Sequence, residues 1–195
     1  MGFEDVSDGY IFQKQIDFVQ MQGIMTGDEN AHFNPKSQLH ISELCVVVAN
    51  LFDFDCRSYM HGAPSGFPKW VFPYYMACRS YKVMPDSFEN RIILDEHASI
   101  DDLYLIFSLA QKYLIPLEFK TQFDIPEKAS DSDLTRGICA YLLYHFCKSA
   151  SKAIFAKLKK SQDFLHETAV SIYLQFSWID FFYNSTDLNG NSYQI

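Results

Sequence analysis

No apolar run in this chain of 195 residues approaches the roughly 18 to 20 residues that a bilayer-spanning helix requires, so membrane insertion is not expected. Residues 1–10 are too polar for a secretory signal, and an exported form would need a signal ahead of them. Positive charge is scarce as well. Lys and Arg number 16 against 24 Asp and Glu, giving a net charge of −8 and a pI near 5.1. Nonspecific nucleic-acid binding draws its affinity from neutralised phosphates, so no nucleic-acid partner is expected. The one cationic concentration, Lys148, Lys152, Lys157, Lys159 and Lys160, reads as a solvated helix face.

Catalytic and metal-binding signatures are missing too. The chain has no G-x-S-x-G and no phosphate-binding glycine loop, and His166-Glu167 lacks the second His of a metalloprotease helix. Cys45, Cys56, Cys78, Cys139 and Cys147 form no C-x-x-C pair and have no His at a zinc-like interval. Most sit among apolar residues at helical spacing, which predicts small buried thiols and leans towards a reducing compartment or simple burial. Asp28-x-Asn30-x-His32 begins like a calcium loop, but Phe33 and Leu39 stand where a glycine and a bidentate acid are needed. Residues 187–192 place oxygens at alternate positions, yet the closing carboxylate would fall past Ile195, so they read as a polar tail. The expectation is a protein that is not an enzyme, with no cofactor and no metal site.

What the chain does have is a hydrophobic content of 48%, with 18 Phe and 12 Tyr, enough for one compact domain with an aromatic core. The apolar spacing predicts helices over residues 11–21, 40–53, about 70–81, 99–113, 134–148 and 150–160, with a long aromatic helix over 163–183. Residues 26–36, 53–68 and 115–128, rich in Gly, Pro and Asn, read as loops and linkers, and residues 91–94 carry a weak strand signal. The fold class is therefore all-α.

A repeat runs through this pattern. Shifting residues 23–52 forward by 59 positions places Ile24 and Met25 on Val83 and Met84, Ile41 on Ile100, Glu43 on Asp102, Leu44 on Leu103 and Val48 on Phe107. A unit unable to bury its apolar face alone gains stability by packing on a copy of itself. The first unit reads Phe3-Glu4-Asp5-Val6, then Gly23-Ile24-Met25-Thr26-Gly27-Asp28, Phe33-Asn34-Pro35, and Leu39-His40-Ile41-Ser42-Glu43-Leu44. In order and spacing this resembles the surface-layer homology repeat, with its F-x-D-V, G-I-x-x-G, F-x-P and I-T-R-A-E elements. The second unit keeps Trp70, Lys82-Val83-Met84-Pro85 and Ala98-Ser99-Ile100-Asp101-Asp102, while Phe123-Asp124-Ile125-Pro126 and Leu134-Thr135-Arg136-Gly137 hint at a third.

The resemblance implies a helical bundle of helix-loop-helix repeats over residues 1–54 and 67–115. A helical C-terminal segment over 123–195 would follow, or a highly degenerate third repeat. It also implies a binding module attached to a bacterial cell-wall polysaccharide or surface partner through grooves between repeats, and a cell-surface location. At the Arg position of I-T-R-A-E stand Ile41 and Ile100, which offer an anion neither charge nor hydrogen bond; Thr135-Arg136 alone keeps the pair. The ligand-binding residues expected on this reading are Tyr10 and Trp70, stacking on sugar faces, with Thr135 and Arg136 meeting an acidic substituent. For Tyr10 and Trp70 the alternative is helix packing, for Arg136 a solvated position, and for His40, Glu43, Ser99 and Asp102 helix capping. The rival function is a helical protein-interaction or assembly domain, cytoplasmic and without glycan binding, able to form a homo-oligomer through the apolar residues of 164–183.

Overall fold

The computed structural model describes residues 2–115, 117–126 and 133–160, without the side chains of 155–160. The fold is all-α. Among the described residues it has six helices: α1 Gln13–Met21, α2 Ile41–Leu51, α3 Phe72–Ser80, α4 Phe88–Ile93, α5 Ile100–Tyr113 and α6 Arg136–Lys160. Among the described residues no strand accompanies them beyond three isolated bridges. The aromatic helix expected over 163–183 lies outside the described residues.

The 59-residue interval reappears in helix boundaries: α1 and α3 both run nine residues and start 59 apart, as α2 and α5 start 59 apart. Burial follows the same register, pairing Ile16 with Tyr75, Val19 with Cys78, Ile24 with Val83 and Leu44 with Leu103 on the inner face. Helix ends repeat it too. Gly23 N donates to Gln20 O at 3.0 Å and Ile24 N to Val19 O at 2.9 Å, while Lys82 N donates to Arg79 O at 2.9 Å and Val83 N to Cys78 O at 3.1 Å. This Schellman closure satisfies the last helical carbonyls and requires a left-handed residue just past the helix. Gly23 (φ 66°) adopts that conformation freely, whereas Lys82 (φ 61°) does so against its Cβ. Asp53 (φ 50°) after α2 and Asp95 (φ 54°) after α4 carry the same strain in the same motif.

Three helices begin around one ring of backbone hydrogen bonds. Leu39 N donates to Leu134 O at 2.9 Å, Leu134 N to Ala98 O at 3.1 Å, and Ala98 N to Leu39 O at 2.7 Å, closing a cycle among the segments that enter α2, α6 and α5. The bridges His40 to His97, Ser99 to Asp133 and Gln38 to Thr135 flank it. The ring also feeds the first helical turns, whose N–H groups have no partner within their own helix. Ile41 N donates to Glu96 O and Arg136 N to Ser37 O, both at 2.9 Å. Caps divide the remaining work. Ser99 and Asp102 form a complete capping box, with Ser99 N donating to Asp102 Oδ2 at 2.8 Å and Asp102 N to Ser99 Oγ at 3.2 Å. At α2 the acid half appears as His40 N donating to Glu43 Oε2 at 2.9 Å, and at α6 the hydroxyl half as Ile138 N donating to Thr135 Oγ1 at 3.3 Å.

Beneath the ring the helices share one aromatic core. Phe107 of α5 stacks on Phe146 of α6 at 4.1 Å, and Phe52 and Phe119 meet the same ring edge-on at 6.3 and 5.5 Å. α6 packs on α1 and α5, and α2 packs on α3 and α4.

Several sequence expectations are corrected. Residues 91–94 belong to α4 and its cap rather than to a strand: Phe88 and Ile92, four apart, bury one face, and Arg91 makes a forked contact to Asp102 at 2.6 and 3.0 Å. Burial tends to raise the Asp102 pKa, but the hydrogen bonds from Arg91 and Ser99 outweigh it and hold the carboxyl below its ordinary value. The two helices expected over 134–148 and 150–160 are one continuous helix, because Ser149 and Ala150 supply no breaker. The stretches read as linkers are packed: Phe54 and Phe67 are buried, a short 3-10 turn spans Arg57–Tyr59, and Tyr104 Oη donates to Phe123 O at 2.8 Å.

Because Lys82 is strained and a glycine there is not, Lys82→Gly should raise stability by about 0.5–1 kcal/mol in urea denaturation, with Gly23→Ala lowering it by a similar amount. His145, whose ring lies tilted against Tyr141 at 4.4 Å between centroids, is held below its ordinary pKa by burial and then by Lys148 and Lys120. The unfolded chain therefore binds this proton more readily than the folded one. Its effect on stability is absent above about pH 6.5 and becomes a loss as pH falls below that value. His145→Gln should flatten the decline in urea midpoint between about pH 7 and pH 5, measured against the parent.

Candidate functional site

The loop between α1 and α2 is built to present residues 24–28 beside the start of α6. Asp5 fixes it from behind, its two carboxylate oxygens accepting Phe33 N and Asn34 N, each at 2.7 Å. Asp28 organises the turn by accepting Asn30 N and His32 N, both at 2.9 Å, and Asn34 Nδ2 at 3.0 Å. These bonds, the one from His32 N first and that from the Asn34 amide next, hold the Asp28 carboxyl below its ordinary pKa. Gly27 is required for closeness rather than for unusual backbone angles: a Cβ there would run into the Phe3 ring and stand 2.8 Å from His32 O. Gly137, at the start of α6, is confined in the same way, with Pro35 O 2.9 Å from where a Cβ would be.

Arg136 ties these parts together. Its Nε donates to Phe33 O and its Nη2 to Thr26 O, each at 2.6 Å, and its guanidinium lies 4.8 Å from the centroid of the Phe33 ring. Phe33 is thus held between Phe3, 5.2 Å away between ring centroids, and the cation. Two of the five guanidinium N–H groups go to these carbonyls.

Two cavities adjoin around this residue. The first, of about 240 Å³, is lined by the apolar side chains of Ile24, Met25, Leu39, Val46 and Val47 together with Asn50 and Trp70. The second, of about 360 Å³, is polar and includes Asp28, Asn34, Ser37 and Gln38. Thr26, Glu43 and Arg136 line both. An apolar wall beside converging polar groups is the usual make-up of a small-ligand site.

Of the four binding residues expected from sequence, Trp70 and Arg136 meet in the first cavity, although they enter from segments far apart in the chain. Trp70 is 56% exposed, so its ring is presented at the surface rather than used as a core element. Thr135 adjoins Arg136 but its hydroxyl caps α6. Tyr10 lies outside both linings and packs edge-on against Phe12 at 5.9 Å, with burial and then Asp5 raising its phenol pKa. Sequence reasoning missed Thr26, Asn50 and Gln38 as lining residues; the G-I-M-T-G-D motif pointed to Thr26, but nothing in sequence marks the other two.

The cysteines are not poised as nucleophiles. All five are free; burial pushes the Cys45, Cys78 and Cys147 thiols far up and Cys139 to about 12, which keeps them protonated. Among the described residues, no group of three or more His, Cys, Asp or Glu is arranged to hold a metal ion.

No family model matches the chain, and no curated protein is significantly similar to it.

Arg136→Ala should cost about 2–3 kcal/mol, since it strips two carbonyls of charged donors and removes the tie between the loop and α6. Trp70→Ala, at an exposed position, should stay within about 0.5 kcal/mol of the parent in the same urea titration.

Proposed function

We propose that this chain is a noncatalytic binding module that holds a bacterial cell-wall polysaccharide in the groove shared by Trp70 and Arg136. The observation that carries this reading is that an exposed indole and a guanidinium line one cavity together with apolar side chains. An indole face covers the C–H face of a sugar ring, while uncommitted guanidinium N–H groups donate to oxygens on the ring or its substituents.

The resemblance to surface-layer homology repeats supports the same conclusion. Three helix starts joined in a closed cycle suit a three-unit bundle, with units over residues 1–54 and 67–115 and a third within 123–195. In that arrangement the corresponding position is Ile41 in the first unit and Ile100 in the second, so one groove per chain retains a cation. A cell-surface location follows from this function.

Calorimetric titration with oligosaccharide fragments of purified wall polysaccharide should saturate at one site per chain. Trp70→Ala should weaken binding about tenfold or more while leaving the urea midpoint in place. A parent protein that does not bind, or a Trp70→Ala variant that binds equally well, removes the glycan reading.

A further inference from the structure

The electrostatics of the groove identify the kind of sugar it takes, and this step rests on the glycan reading above. Among the described residues, Arg136 brings the only positive charge to the two linings, whereas Asp28 and Glu43 bring two carboxylates. Part of the cation's hydrogen-bonding capacity is already directed at Phe33 O and Thr26 O. The formal charge of the described lining residues is therefore negative, and the chain as a whole carries −8.

A carboxylate or phosphate entering the polar cavity would meet like charges and would have to give up its hydration there. Hydroxyl, amide and ammonium groups face the opposite balance. Each brings N–H or O–H donors to carboxylate oxygens, and such charge-assisted bonds are stronger than neutral ones. The apolar first cavity adds contact for the C–H face of the same chain and makes no demand for charge.

We infer that the groove selects a neutral or amino-bearing sugar chain over one carrying acidic substituents, with Asp28 and Glu43 as the discriminating residues. Arg136 then positions the loop through two of its donors and offers the others to neutral sugar oxygens, and the acidic-ligand role suggested by the repeat resemblance does not apply to this groove.

The test compares native wall polysaccharide with the same polymer after its carboxylates are reduced to alcohols and its phosphates are removed. Binding of the full chain to each is measured at low and near-physiological ionic strength. The stripped polymer should bind several-fold more tightly at low salt, with the gap narrowing as salt screens the carboxylates. Glu43→Gln, which keeps an oxygen for His40 N, should also narrow the gap while its thermal melt confirms an intact fold. A stripped polymer that binds about tenfold more weakly than the native one overturns this inference and leaves the glycan reading standing. A gap unchanged in Glu43→Gln overturns it as well. Failure of both polymers to bind overturns both.

Discussion

The cycle joining Leu39, Leu134 and Ala98 is the constraint on which the rest of the fold depends. Each residue gives its N–H to one neighbouring segment and its carbonyl to the other, so none of the three bonds can be removed without opening the ring. All three side chains are buried, and a lost partner there would leave a backbone polar group away from water. Because each segment leads straight into a helix, the ring also sets where α2, α5 and α6 start. Phe146 of α6, Phe107 of α5 and Phe52 just past α2 then meet in one aromatic cluster. Local chain geometry and tertiary packing are specified by the same few bonds.

Two arginines extend that control outward in different ways. Arg91 pairs with Asp102 and donates to His97 O at 3.1 Å, so it joins α4 to the cap of α5 within one part of the chain. Arg136 spans a far larger sequence separation, fastening the loop of residues 24–28 to α6 through two carbonyls. Both guanidiniums lie on aromatic rings, Phe88 for Arg91 and Phe33 for Arg136. The planar fork explains the choice of arginine, since one lysine ammonium could not stack on a ring and direct donors along two fixed vectors.

The helical class was legible because the apolar stripes of α1, α2, α3 and α5 hold a period near 3.6 over several turns. Their recurrence after 59 residues survives extensive substitution because inner positions require apolar volume rather than one identity: Ile16 and Tyr75 occupy the same inward place. Residues 88–93 were harder to read, as six residues give a helix too little period to distinguish it from a strand. The linkers misled for another reason. Gly and Pro mark turns reliably, but Phe54 and Phe67 obtain their burial from partners distant in sequence. In the candidate site, Trp70 and Arg136 were legible through the repeat pattern, whereas the partners of Arg136 were not, since backbone carbonyls leave no trace in a sequence.

The three segments of the ring are alike in backbone bonding but unlike in side chain, and that difference makes the molecule asymmetric. Ile41 is fully buried and Ile100 partly so, each adding apolar contact where Arg136 adds charge and hydrogen bonds. Exchanging a cation for an isoleucine costs a ring-bound helix start little, because its first-turn N–H groups are already served by the neighbouring segment. An apolar side chain at that place is therefore compatible with the same fold. At Arg136 the same exchange would release the loop that carries Thr26 and Asp28, so there the groove and the structure depend on one side chain.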